Sequence, residues 1–338
     1  MRNNSGLKGQ YMYGKIIVVN LNPCVDWVCM VPKFVHGGLN RVRRVRSDVA
    51  GKGVNVAVAL KNLGLEPLLT GFNFVENGAI LTEKLDAQGI RHDFVQTDGT
   101  IRVNMKLYEG NSDVMTEINQ PGAFVCEDAQ QRLLEKIQLS GEGDEDGILV
   151  LSGSRPEGVQ ADFYAKICKI WRGKVFLDTE GDALRLALSA APFALKPNLF
   201  ELESTFGQKF SFVAFPAERE GELVPSPLEI ADFCRERFLP QRVNSVCVSM
   251  GEHGAVHVSA NGAFFCPALR VPVRGLAGAG DAMVAGLVYA LTKNLPQEIT
   301  LQTAMATAAA SVTLEGTQMC TAENFFEMQK IMPCVIRI

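Results

Sequence analysis

The residues best suited to chemistry lie in one stretch, Gly275-Leu-Ala-Gly278-Ala279-Gly280-Asp281, which runs straight into an apolar helical pattern from about Ala282. Small residues let the backbone approach a ligand closely. The first-turn N–H groups of a helix have no intrahelical partner, and together with the helix dipole they suit an anion. Asp281 beside such a site could accept a proton from an attacking hydroxyl while the amides of Gly278, Ala279 and Gly280 hold a transferring phosphoryl group. The spacing also fits an Asp that merely caps the helix.

Three further clusters are of the same kind. Ala50-Gly51-Lys52-Gly53-Val54-Asn55 opens a second helical pattern. Its glycines could simply turn a loop, but Lys52 between them would stand at a positive helix end, suited to phosphate. In Lys196-Pro-Asn198-Leu-Phe-Glu201, Asn198 and Glu201 are three apart and share a helical face. They could help hold a hydrated Mg²⁺ or cap the helix. Ser249-Met-Gly251-Glu-His-Gly254 punctuates a strand exit, as a hairpin turn, the edge of a nucleotide pocket, or both.

Other motifs fail on inspection. Gly9 to Lys15 has the spacing of a phosphate loop, but Ile16 stands where Ser or Thr is needed, and the strand follows rather than precedes. The sequence holds neither G-x-G-x-x-G nor G-x-S-x-G, which weighs against a dinucleotide oxidoreductase and a serine hydrolase. Glu142-x-Asp144-x-Asp146-Gly147 starts like a calcium loop, but position 12 is Gly153. His253 and His257 fall in a strand-like pattern, where they would stand about 13 Å apart, too far to share a metal. Structural histidines are expected.

The elements that must position these clusters are legible as alternating patterns. Lys15–Asn20, Ile148–Ser152, Val175–Asp178, Phe193–Lys196 and Ser245–Met250 are short apolar runs of the buried-strand kind. Val56, Ala59, Leu60 and Leu63 follow helical spacing, as do Val284, Leu287, Val288 and Leu291, and Leu301, Ala304, Met305 and Ala308. The alternation predicts an α/β fold with a mostly parallel sheet. Two stretches depart from it. Asp26–Arg46 holds no good helix. In 102–109, Val103, Met105 and Leu107 face one way, and Arg102, Asn104, Lys106 and Tyr108 the other, predicting a strand whose polar side is exposed.

Bulk composition excludes several classes. Of 338 residues, 33 are basic and 37 acidic, a net charge of −4 that suggests no nucleic-acid partner. Hydrophobic residues at 47% argue against wholesale disorder. Nine cysteines without a C-x-x-C pair make a disulfide framework or structural zinc unexpected and point to a reducing, cytoplasmic setting. No run approaches the ~18 apolar residues of a membrane helix. Residues 1–13 are expected to form a disordered leader, residues 14–330 one α/β domain with a β lid from about 24–48 and 100–122, and 331–338 a tail.

Taken in order, the clusters resemble the ribokinase/PfkB sugar-kinase superfamily, and more narrowly its 1-phosphofructokinase and tagatose-6-phosphate kinase branch. The resemblance runs from about Ile16 to Gly316. It is carried by Asn20-Leu-Asn-Pro-Cys-Val-Asp26, Ala50-Gly-Lys-Gly-Val-Asn55, Arg102-Val-Asn-Met-Lys106, Thr116 to Gly122, Ser152-Gly-Ser154, Asp178-Thr179, Lys196-Pro-Asn198, Val248 to Gly251 and Gly278-Ala-Gly-Asp281. It implies a three-layer αβα sandwich with a small β lid. It implies ATP- and Mg²⁺-dependent phosphorylation of a sugar phosphate, most closely fructose 1-phosphate at its 6-hydroxyl. Tagatose-6-phosphate kinase and 6-phosphofructokinase activity are alternatives, and a catalytically silent sugar-phosphate sensor is a rival of another class.

By this resemblance Asp281 is the base, and Gly278, Ala279 and Gly280 form the anion hole. Asp26, Gly51, Lys52, Asn55 and Arg102 meet the sugar phosphate. Lys196, Asn198, Ser249, Gly251 and Gly254 meet the nucleotide, while Asn198 and Glu201 organise Mg²⁺ through water. Cations at Lys52, Arg102 and Arg41 suit a dianionic acceptor, whereas Arg43, Arg44 and Arg46 are expected as solvated charges. A homodimer through the lid is a further expectation. The sequence departs from the family pattern at Leu276-Ala277, Glu180 and Arg155, and Arg155 is a candidate phosphate contact.

Overall fold

A computed structural model describes residues 14–110, 115–214 and 222–338; the expected leader lies outside them. The strand Ile16–Asn20 is wholly buried inside an eleven-stranded sheet, nearer one edge than the other. It pairs in parallel with Leu68–Phe74 on one side and Ile148–Ser152 on the other. Lys174–Asp178, Ala194–Leu195 and Ser245–Ser249 continue the parallel order. Ala255–Ser259, Gly262–Cys266 and Ile336–Arg337 then close that edge antiparallel. These ends lie within one or two residues of the predicted runs. Residues 331–338, expected as a tail, instead supply the edge strand Ile336–Arg337.

Continuous apolar runs are possible here because helices cover both faces. Lys52–Asn62, Ala279–Thr292, Gln297–Val312 and Ala322–Ile331 pack on one another, as do Glu127–Gly141, Phe163–Ile170, Gly181–Leu188 and Leu199–Phe206. The first helix sits tightly on the strand Ile16–Asn20. A Cβ at Gly53 would fall 2.9 Å from the Val19 carbonyl oxygen, so this glycine serves helix-to-strand packing rather than ligand approach.

A separate four-stranded sheet runs Arg44–Ala50, Cys24–Val31, Arg102–Glu109, Met115–Asn119. Its central pair is parallel and its outer pairs are antiparallel. Here burial does not divide simply between the two faces, since Leu107 on the apolar side is buried as well. Asn104 and Lys106, on the polar side of Arg102–Glu109, are buried, while Val103 and Met105 are only half-buried. Register places Trp27 and Ile118 beside Met105, and they are 40% and 52% exposed. Period two fixes which residues share a face, but not which face is covered. This sheet turns its polar side toward a cleft and its apolar side outward.

No described helix is long and apolar enough to cross a membrane.

Candidate active site

Ser152, Asp178 and Ser249 end parallel strands at one edge of the main sheet, and Lys196 directly follows another. Ligands of open α/β sheets bind outside this carboxyl edge. Between it and the lid lies a cleft of about 1350 Å³. Every site residue named from the sequence lines it: Asp26, Gly51, Lys52, Asn55, Arg102, Lys196, Asn198, Glu201, Ser249, Gly251, Gly254, Gly278, Ala279, Gly280 and Asp281. Arg41 is exposed on the 32–43 loop and does not line it. Arg155 turns away, its guanidinium donating to the Val159 carbonyl within its own loop.

Gly278 precedes the helix Ala279–Thr292 in a left-handed conformation, φ 86°. That backbone conformation strains any side chain, so glycine suits this turn. Asp281 follows in the first helical turn and is 5% exposed. Asn55 Nδ2 donates to Asp281 Oδ2 at 2.8 Å, joining the two glycine clusters. Burial, then the charge of Asp178, push the Asp281 carboxyl up to about 6, against the opposing pull of Lys52, Asn55 and Lys196. It is therefore a stronger base than an ordinary Asp, yet mostly ionised at neutral pH.

Asp178 moves the other way. Burial alone would raise it, but Lys196, then Lys52, together with a hydrogen bond from Ser152, hold it below the ordinary carboxylate range. Its Oδ1 lies 3.2 Å from Lys196 Nζ and its Oδ2 3.5 Å from Lys52 Nζ. Asp178 in turn raises the Lys52 ammonium, which stays charged. Lys52 Nζ also stands 3.4 Å from Glu201 Oε1. The charge of Lys52 thus faces the strand-end carboxylates rather than standing alone for an acceptor phosphate.

Asn198 and Glu201 form a reciprocal cap on the helix Leu199–Phe206: Glu201 N donates to Asn198 Oδ1 at 2.7 Å, and Asn198 N to Glu201 Oε2 at 2.8 Å. Ser249 bridges to Asn198, and the turn Gly251–His253 follows. His253 therefore sits in a turn on the cleft rather than in the strand with His257.

On the lid side, Lys106 Nζ meets Asp26 Oδ2 at 2.6 Å and Asn104 Nδ2 donates to Asp26 Oδ1 at 3.2 Å, all buried. Arg102 donates to the carbonyls of Gln120 and Asn22 and keeps its guanidinium at the cleft. Arg46, expected to be solvated, is instead tied to Asp48 at 2.7 Å and to the Glu315 carbonyl at 3.2 Å. Sequence reasoning assigned no role to Asp178 or Lys106. Their signals were membership of the resembling motifs Asp178-Thr179 and Arg102 to Lys106, a polar residue closing an apolar run, and a lysine in an alternating strand.

The site is a buried carboxylate at a glycine turn, with cations at the strand ends and a polar lid above. The pfkB family of carbohydrate kinases matches residues 15–324. The chain belongs to that family. The 1-phosphofructokinase of Rhodobacter capsulatus is 34% identical over 296 residues, which cover 86% of this chain and 88% of the relative. The 1-phosphofructokinase of Bacillus subtilis (strain 168) is 32% identical over 299 residues, 88% and 92% of the two chains. Phosphofructokinase-2 of Escherichia coli in complex with substrates and products superposes with a TM-score of 0.85 at 23% identity, covering 94% and 99%. That likeness shows the architecture, which is ribokinase-like. The protein is thus a sugar kinase that moves a phosphoryl group from ATP to an alcohol.

Proposed function

We propose that this kinase phosphorylates fructose 1-phosphate at its 6-hydroxyl, with Asp281 as general base. The observation that carries the reading of Asp281 is the pair of buried carboxylates on one cleft, one raised to about 6 and one lowered. Environments that push two carboxyls apart mark the acid–base residue, here Asp281. The names of the relatives support the acceptor.

In this reading the 6-hydroxyl gives its proton to Asp281 while its oxygen bonds to the γ-phosphorus and the bond to ADP breaks. Backbone amides at Gly278, Ala279 and Gly280 hold the passing group, and Lys52 and Lys196 balance its charge. Gly51, Asn55 and Asp26 meet the sugar hydroxyls and Arg102 the phosphate already present. Ser249, Gly251 and Gly254 border the nucleotide.

Among the described residues no cluster of three His, Cys, Asp or Glu could hold a metal alone. Asn198 and Glu201 instead offer the one or two protein oxygens that suit Mg²⁺, which keeps its waters and binds nucleotide phosphates. Glu201, 3.4 Å from Lys52 and capped by Asn198, would hold it with Asn198 through water. When bound, Mg²⁺ neutralises phosphate charge.

The outward apolar side of the lid, with Trp27, Val103, Met105 and Ile118, supports a homodimer through that face. Nine free thiols support a cytoplasmic setting. The chain from residue 14 is read as one kinase domain that includes the edge strand Ile336–Arg337.

The test is ADP release with fructose 1-phosphate, fructose 6-phosphate, tagatose 6-phosphate and ribose, for wild type and Asp281→Asn. Fastest turnover on fructose 1-phosphate, lost in the variant, is expected. A preference for another acceptor would overturn the substrate, and full activity in Asp281→Asn would overturn the base.

A further inference from the structure

Asp178 is 1% exposed beneath a cleft that must accept highly anionic ligands. A carboxylate removed from water survives only where it is paired and hydrogen-bonded. Asp178 has one hydrogen-bond donor and two ion-pair partners. Ser152 Oγ donates to Oδ2 at 2.8 Å, Lys196 Nζ stands 3.2 Å from Oδ1, and Lys52 Nζ stands 3.5 Å from Oδ2.

The two lysines arrive from different elements. Lys52 begins the helix Lys52–Asn62, and Lys196 follows the strand Ala194–Leu195. Lysine is a compact charge on a flexible four-carbon stem, so its position is set by what holds its ammonium. Lys196 Nζ lies 3.4 Å from where a Cβ on Gly280 would stand, which puts its charge against the turn that opens the Asp281 helix. Lys52 Nζ is 3.4 Å from Glu201 Oε1, on the nucleotide side. Asp178 stands between them and touches both.

We propose that Asp178 is a positioning residue for phosphoryl transfer, holding Lys52 and Lys196 as a two-point cationic clamp on the oxygens of the passing phosphoryl group. This rests on the kinase reading above. Asp178 contacts no reacting atom. It acts through the two ammonium groups and through its own charge.

That charge gives the proposal a signature that a structural role lacks. Asp281 is surrounded by Asp178 from the sheet, Lys52 and Asn55 from the first helix, and Lys196 from the strand end. Of these charges, Asp178 alone favours the protonated form. Replacing it by a neutral residue leaves two cations facing Asp281, so the base must titrate at lower pH.

The experiment compares wild type and Asp178→Asn for kcat and KM with fructose 1-phosphate, the pH profile of kcat, and ATP affinity by calorimetry. A loss in kcat of about 100-fold is expected, the size attached to small misplacements of positioned groups. The acceptor KM should stay within about threefold, because the lid contacts are untouched. The acidic limb should move below its wild-type position, and ATP should bind at least about tenfold more weakly. A kcat near wild type would overturn the proposal, as would a lowered kcat with an unmoved limb.

If Asp178→Asn does not fold, Ser152→Ala keeps the charge and frees the carboxylate to rotate. A several-fold lower kcat at unchanged acceptor KM supports the clamp, and wild-type kcat overturns it. If wild type turns over no acceptor, the kinase reading fails by itself. ATP affinity then still decides the clamp, because an Asp178→Asn protein that binds ATP as wild type does would refute it.

Discussion

The two walls of the cleft solve the same electrostatic problem differently. Each buries a lysine–carboxylate contact, Lys196 with Asp178 at 3.2 Å on the sheet side and Lys106 with Asp26 at 2.6 Å on the lid side. On the sheet side Asp178 is shared by two lysines and one of them also reaches Glu201, so the charges form an open network rather than a closed pair. On the lid side one lysine and Asn104 close both oxygens of Asp26, which leaves the pair near neutrality. In the proposed reading the sheet network meets the charge in transit, and the neutralised Asp26 meets the sugar hydroxyls without repelling a dianionic acceptor.

The most damaging change should be on the sheet wall. Asp281→Asn removes the base, and a fall in kcat of about 10²–10⁴-fold with little change in KM is expected in steady-state assays. Next comes the lid. Lys106→Met leaves Asp26 buried and unpaired, so the KM for fructose 1-phosphate should rise by about tenfold or more while that for ATP stays put. Pairing it with Asp26→Asn should recover protein stability but not acceptor affinity. An equal rise in both KM values would erase the distinction between the walls.

Titration gives a smaller effect. The base must be ionised to act and its carboxyl stands at about 6, so kcat should fall by about tenfold per unit below that pH. Asn55→Ala removes a bond that favours the ionised form, so the limb should move to higher pH. A limb near the ordinary carboxylate value would show that Asp281 is not desolvated during turnover. Least sensitive is the tie between lid and body. Arg46 is a partly exposed ion pair, worth at most about 1 kcal/mol, and Arg46→Ala should leave the melting temperature nearly unchanged.

Asp281, Asn55 and the glycine turn were legible because their chemistry is local: a helix start, a small-residue run and a carboxylate share a few consecutive positions. The mostly parallel α/β class followed from apolar runs that need cover on both faces. Asp178 was not legible as a hub, because a polar residue ending a buried strand looks the same whether or not lysines from Lys52 and Lys196 converge on it. Lys106 was misread as exposed because alternation says nothing about which side meets a cleft. Arg155 and Arg41 show the converse. Basic residues near a motif suggested phosphate, but one is spent on its own loop and the other stands in solvent.

The bond between Asn55 and Asp281 spans 226 residues of chain. During synthesis at about 5–20 residues per second, roughly 10–45 s separate the appearance of its two ends. For that interval the first glycine helix and the strand Ile16–Asn20 beside it have emerged without the carboxylate that completes them. The tie from Arg46 to the Glu315 carbonyl spans 269 residues and forms later still. In the proposed reading phosphotransfer waits for Asp281, so the chain upstream of it has no partial activity to restrain.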